Sequence, residues 1–205
     1  HLKKAFLEGF VSSGAFSVSR QRRHGRSSRN LPGDRFLVSL PLPASPGQIT
    51  GEAPEELKLA AAALIFSPFV PSLCLGSPQT PRSEDAREVD RFHRELVRLR
   101  KEFRSAGLLD KQCMGVLGYE KEKVLLVRHW KEDADLIILF HFGRRATPVS
   151  LPFPSGAWAL RFDSADRLWD GPGSSVPALV HGDGGDVPFL LRPLSCAVYL
   201  RRHSG

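Results

Sequence analysis

Six basic side chains crowd one short stretch of this 205-residue chain. Arg20, Arg22, Arg23, His24, Arg26 and Arg29 fall between Ser12 and Gly33 with no acid among them. Clustered guanidinium groups are the chemistry of phosphate recognition, so a nucleic-acid contact is one reading of the segment. Only His24 interleaves there as a stacking ring, and no known binding module follows. A solvated basic loop accounts for the same residues. Three tryptophans, Trp130, Trp158 and Trp169, could stack on sugar rings. A large aromatic in an alternating strand is usually core, which assigns Trp158 to the interior and leaves Trp169, in a loop, for sugar stacking. His181, Asp183 and Asp186 could hold a cation, but the glycines among them make a turn the simpler account, since calcium needs roughly six to eight oxygens in a defined loop.

Cys74, Cys113 and Cys196 are too far apart for a disulfide framework or a zinc spacing. They read as buried reduced thiols, which fits a reducing compartment. No nucleophile–base pair, phosphate-cradling glycine loop or zinc signature is present, so no metal or cofactor is expected.

The elements that must position these groups divide into two kinds. Leu2, Ala5, Phe6 and Phe10 read as the end of an amphipathic helix. Residues 34–40 form a strand by their β-branched and aromatic content, running into the proline-rich Pro41 to Gly47. Pro54-Glu55-Glu56 opens a helix whose body, Leu57 to Phe66, is apolar on nearly every face and therefore buried. Ser67-Pro68 stops it, and Phe69 to Gly76 is a second buried strand. Val89, Phe92, Leu96, Leu99 and Phe103 then mark one face of a long helix, with Gly107 as its stop.

From Leu108 the pattern changes to strands: Cys113 to Gly118, Val124 to Trp130, Leu136 to Phe142, Thr147 to Leu151, Ala157 to Phe162, Val187 to Leu191 and Cys196 to Arg201. Lys131 to Ala134 joins two of them as a hairpin, and Gly171 to Ser175 and His181 to Asp186 are loops. Trp158, Leu160 and Phe162 alternate with Ala159 and Arg161, which predicts one buried face. About seven strands at this spacing predict an antiparallel β-sandwich. Two parallel strands cannot cover both faces of a sheet by themselves, so the first half is expected to be part of a larger α/β barrel.

Composition sets the outer limits. The chain is 41% hydrophobic and 25% charged, which makes it a folded protein and not a disordered one. Its formal charge is +7. The longest apolar run, Leu57 to Leu75, is cut by Ser67-Pro68 and Pro71, short of the roughly 20 unbroken residues a membrane span needs. No signal peptide is visible, and a chain opening on His1 is read as a piece of something longer.

Several stretches together resemble a known family. Gly14-Ala15-Phe16-Ser17-Val18-Ser19-Arg20-Gln21-Arg22-Arg23-His24-Gly25, the strand Arg35-Phe36-Leu37-Val38, then Glu56 to Ala62 and Ser67-Pro68-Phe69-Val70-Pro71, resemble in that order the C-terminal part of the malto-oligosyltrehalose trehalohydrolases, glycoside hydrolases of the α-amylase superfamily. Phe92 to Lys101 looks like the last barrel helix of such enzymes, and the β region after it like their C-terminal sandwich. The resemblance implies a fold of α/β followed by all-β. Residues 1–106 would be the last two units of a (β/α)8 barrel, with strands seven and eight, and residues 107–205 the sandwich. It also implies release of trehalose from maltooligosyl trehalose by paired carboxylates, at the C-terminal ends of the barrel strands.

The acidic groups of that chemistry are not where the resemblance would put them. The nucleophile and acid belong to the fourth and fifth strands, before this sequence begins. Where the family has Asn-His-Asp-Gln after strand seven, this chain has Leu40 to Gln48, with Leu42 at the histidine position and Pro43 at the aspartate position. Neither side chain carries charge or donates a hydrogen bond. After strand eight, Met-Gly-Glu-Glu is replaced by Leu75-Gly76-Ser77-Pro78. The expectation is a catalytically inactive, cytoplasmic chain that gives structural support or binds glucan, with no membrane partner. Missing barrel units or a partner chain would cover its open side. In the resemblance the basic segment lies over the barrel mouth, where Ser17, Arg23 and His24, with Trp169, are the candidate sugar contacts. A small basic nucleic-acid-binding or glucan-binding module is the alternative.

Overall fold

The computed structural model describes residues 37–41, 54–74 and 84–202. The opening helix expected over the first ten residues, the basic segment and the proline-rich run beyond Pro41 lie outside them, while Pro41 itself ends the first strand. Strands β1 (Leu37–Pro41) and β2 (Val70–Cys74) pair in parallel, with Leu37 opposite Val70 and Pro41 opposite Cys74. Parallel neighbours need a long crossover, and helix α1 (Pro54–Ile65) supplies it. Proline and two glutamates suit its first turn. Its alanine- and leucine-rich body buries Leu59, Ala61, Ala62, Leu64 and Ile65.

The end of α1 is fastened by its neighbour α2 (Glu84–Ser105). Arg100 reaches from α2 and donates to the carbonyls of Ile65, Ser67 at 2.9 Å and Phe69 at 2.5 Å. The last carbonyls of a helix have no partner within it, and a cation there also opposes the negative end of the dipole. Helix α2 buries Phe92, Leu96, Leu99 and Phe103, four of the five positions on the stripe its spacing predicts; the side chain of the fifth, Val89, lies outside the described ones. It stops before Gly107, whose φ of +69° is the left-handed conformation a helix terminus asks of glycine.

Eight strands follow: β3 (Met114–Tyr119), β4 (Val124–Trp130), β5 (Ala134–His141), β6 (Thr147–Pro152), β7 (Gly156–Asp163), β8 (Leu179–Gly182), β9 (Asp186–Leu191) and β10 (Ser195–Arg202). Six make one antiparallel sheet in the order β3-β4-β5-β10-β7-β8, and β6 and β9 pair separately. The small sheet lies over one face of the large one around Ile137, Leu139, Phe153, Trp158, Phe189 and Tyr199. The helices cover the other face around Phe92, Leu96, Leu136, Ile138, Phe140 and Val198. The result is a β-sandwich backed by a helical layer. A sheet covered on both sides has no polar face, which is why β5 is buried at seven consecutive positions from Asp135 to His141.

Two expectations change. The β region has eight strands and not about seven, because β8 includes His181 and Gly182, read from sequence as the start of a loop. It is an edge strand with Leu179 and His181 exposed, so it lacks a hydrophobic signature. The predicted single buried face of β7 is also split. Tyr199 of β10 faces Leu160 and Val198 faces Phe162, which leaves Arg161 as the extra residue of a bulge. A one-residue insertion reverses the alternation. Trp158 and Leu160 therefore pack toward the small sheet and Phe162 toward the helices.

Candidate functional site

Of the residues singled out in the sequence, Ser17, Arg23 and His24 lie outside the described residues. Trp169 ends a short 3-10 turn, Arg167–Trp169. Asp166 starts that turn by accepting from the Leu168 amide at 2.9 Å, and Asp170 closes it at φ 55°. The Trp169 ring is half-buried. It meets Phe92 edge-on at 5.8 Å between centroids and Phe162 at 5.9 Å, and the Arg91 guanidinium lies 5.7 Å from its centre. Arg91 and Lys58 donate to the carbonyls of Leu168 and Trp169. This corner thus ties α1, α2 and the β7–β8 connection together.

Trp158 is fully buried, as expected, with its Nε1 donating to the Pro154 carbonyl at 2.8 Å. Trp130, which the sequence reading passed over in favour of Trp169 for sugar stacking, is the most exposed of the three at 38%. Its position at the end of an apolar strand gave no sign of this.

The described surface also holds a groove of about 430 Å³ between the β3–β4 turn and the small sheet. Tyr119 and Glu122 line one side, Pro148, Ser150 and Pro188 the other, over buried Val149 and Phe189. Burial, and then the carboxylates of Asp186 and Glu122, hold the Tyr119 phenol above its usual range, so it is a neutral donor at physiological pH. An apolar floor edged by hydroxyls and one carboxylate suits a polyhydroxylated ring. Hydrolysis of a glycoside needs two carboxyl groups flanking the bond, and Glu122 is the only one lining this groove.

Three further groups with perturbed protonation are shut inside the fold. Burial lowers His129 to about 4, against an opposing pull from the Asp110 carbonyl 3.4 Å from Nδ1. Burial raises the Asp163 carboxyl, whose Oδ1 accepts from the Ala165 amide at 2.9 Å, and raises the Cys196 thiol well above its ordinary value. His141 places Nδ1 2.6 Å from the Arg192 carbonyl. Among the described residues, no group of three His, Cys, Asp or Glu side chains is placed to hold a metal ion. No helix among them is long and apolar enough to cross a membrane.

Comparison with known proteins agrees with this architecture. Residues 120–180 match DUF3459, a domain of unknown function. The fold is similar to that of a putative α-amylase from Salmonella typhimurium, at 18% identity and TM-score 0.60, over 98% of this chain and 41% of that one. It is also similar to the α-amylase of Geobacillus thermoleovorans complexed with acarbose, at 18% identity and TM-score 0.52, over 75% of this chain and 35% of that one. A γ-CGTase from alkalophilic Bacillus clarkii aligns at 16% identity and TM-score 0.51, over 76% and 24% of the two chains. No curated protein matches the sequence. At these identities the likeness is one of fold: the β region has the fold of the C-terminal β domain of α-amylases. The chain spans well under half the length of each of these structures.

Proposed function

We propose that the chain is the C-terminal region of a malto-oligosyltrehalose trehalohydrolase-like glycoside hydrolase, and that it does not itself cleave glycosidic bonds. In this reading β1, α1, β2 and α2 are the closing units of a (β/α)8 barrel, and the β region is its C-terminal domain. The observation that carries it is the joining of the two halves. A parallel strand–helix–strand unit is fastened by Arg100 to a helix that shares its core with an α-amylase-like β domain. Such a domain buttresses the barrel from outside, while the chemistry belongs at the C-terminal ends of the barrel strands.

Inactivity follows from Leu42 and Pro43 standing where the family places histidine and aspartate, since losing a group that stabilises transition-state charge costs orders of magnitude in rate. The proposed ligand is a malto-oligosaccharide or related glucan, touched by Ser17, Arg23, His24 and Trp169. The proposed setting is the cytoplasm, with preceding barrel units or a partner chain against the two parallel strands. The test is to incubate the purified chain with maltooligosyl trehalose and assay trehalose. No release above the blank is expected, and release at a rate typical of a glycoside hydrolase would overturn the assignment of inactivity.

A further inference from the structure

The β3–β4 edge of the large sheet carries a surface that neither covering layer reaches fully. On β3, Met114 and Val116 are buried in the helix-side core. By alternation, Gly115, Leu117 and Tyr119 face the other way. On β4, Val124 and Leu126 are buried toward the small sheet, and Arg128 and Trp130 continue their row. Trp130, Arg128, Leu117 and Tyr119 therefore share one face.

The Trp130 ring lies over Gly115, where an added Cβ would stand 3.3 Å from its Cζ3. Glycine leaves room there for one edge of the indole. The Arg128 guanidinium lies over it, 5.7 Å from the ring centre. Arg128 is held by Asp135, a buried carboxylate that accepts from Arg128 Nη2 at 3.0 Å and from Arg201 Nη2 at 2.5 Å. Arg128 Nε is buried without a hydrogen-bond partner among the described residues, while the side chain as a whole is 36% exposed. Tyr119, at the mouth of the groove with Glu122 and Ser150, is four residues beyond Gly115, roughly 13 Å at about 3.3 Å per residue.

Shielding of a strand glycine by a ring would account for Trp130 over Gly115. It would not account for a guanidinium held over that ring by a buried acid, nor for a hydroxyl-lined groove further along the same face. We infer that this face is a saccharide-binding track. Trp130 stacks on the apolar face of one pyranose ring, Arg128 donates to its hydroxyls, and the groove at Tyr119, Glu122 and Ser150 takes a further unit of the same chain. A flat aromatic with planar donors fits a sugar, whose ring is apolar above and hydroxylated at its rim. The length of the track fits an oligosaccharide and not a single ring. That the saccharide is an α-1,4-glucan rests on the function proposed above.

The test uses the full 205-residue chain and titration calorimetry with maltoheptaose and, separately, cellohexaose. Trp130→Ala is expected to weaken binding about tenfold, equivalent to about 1.4 kcal/mol, with a small fall in melting temperature from the lost contacts with Gly115 and Arg128. Gly115→Val keeps the tryptophan but lifts the ring, and is expected to give the same loss at equal or higher stability. Both results together establish the track even if Trp130→Ala alone also lowers stability. Binding of cellohexaose but not maltoheptaose, lost in Trp130→Ala, would support the track and count against the glucan hydrolase reading. The track is overturned if the parent chain binds neither oligosaccharide, or if Trp130→Ala binds like the parent. It is also overturned if Trp169→Ala alone abolishes binding, or if Trp130→Ala only converts a dimer to a monomer.

Discussion

Acid should unfold this protein earlier than an otherwise identical chain lacking His129. That imidazole sits on β4 opposite Met114 and Leu136, with no exposed surface, and burial holds it at about 4. In the unfolded chain an ordinary histidine titrates near 6.5. Because the folded value is the lower one, the unfolded state takes up a proton that the folded state refuses. The stability this contributes is complete above about pH 6.5 and drains away as pH falls toward 4. The gap of roughly 2.5 units, at about 1.36 kcal/mol each, amounts to about 3 kcal/mol in full, of which about 2 kcal/mol is gone by pH 5. Asp163 works in the opposite sense, since burial raises its carboxyl and its folded form keeps a proton longer. The comparison must therefore be made against His129→Leu, in which the Asp163 contribution cancels. Urea unfolding of both chains, followed by tryptophan fluorescence near pH 7.5, 6 and 5, should show the parent losing about 2 kcal/mol relative to the variant across the series. A difference that stays constant with pH would refute the reasoning, as would a His129 proton resonance that titrates near 6.5.

Arg100→Met should cost about 3–5 kcal/mol in denaturant unfolding, because it strands the carbonyls of Ile65, Ser67 and Phe69 without their charged donor. Arg100→Lys should rescue only part of this, since one ammonium cannot replace the fork. Asp135→Asn removes the charge shared by Arg128 and Arg201 and should lower stability by about 3 kcal/mol, with the loss read from the urea midpoint at an unchanged slope. Gly182→Ala places a Cβ 2.8 Å from the Phe153 carbonyl oxygen and closer still to that of Pro154. Backbone cannot step aside cheaply, so a fall in melting temperature equivalent to about 1–3 kcal/mol is expected, whereas Gly173→Ala, which meets only the Arg167 side chain at 3.6 Å or more, should lose less despite its strained φ.

Much of the architecture could be read from residue order because local and long-range signals agreed. The stripe through Phe92, Leu96, Leu99 and Phe103 could only be one face of a helix, and all four are buried. The runs at 124–130 and 136–142 carried a hairpin, and β4 and β5 pair as one. What escaped was set by neighbours far away in the chain. Nothing local distinguishes Leu179 on an exposed edge strand from a loop residue, and the bulge at Arg161 exists only through pairing with β10. The candidate surface was less legible still. Trp130 closes an apolar run whose other members are largely buried. Only the placement of Gly115 beside it, on a strand more than ten positions earlier, makes it an exposed platform. Trp169 stood in a loop as expected, yet its ring neighbours Phe92 and Phe162 come from two different elements.

The layer shared by helices and sheet has a consequence for anyone who would divide this polypeptide. Leu136, Ile138, Phe140, Val198 and Leu200 from the β region interlock with Phe66, Phe92, Leu96 and Phe103 from the part before it. A cut just after Gly107 would therefore run through a single interior instead of between two. A product starting at Leu108 would keep its strand pairings but present a wet, greasy plane where α1 and α2 had lain, and it should bind hydrophobic dyes and clump. Supplied in trans, a peptide carrying α2 should recombine with it, much as the two halves of a split reporter find each other.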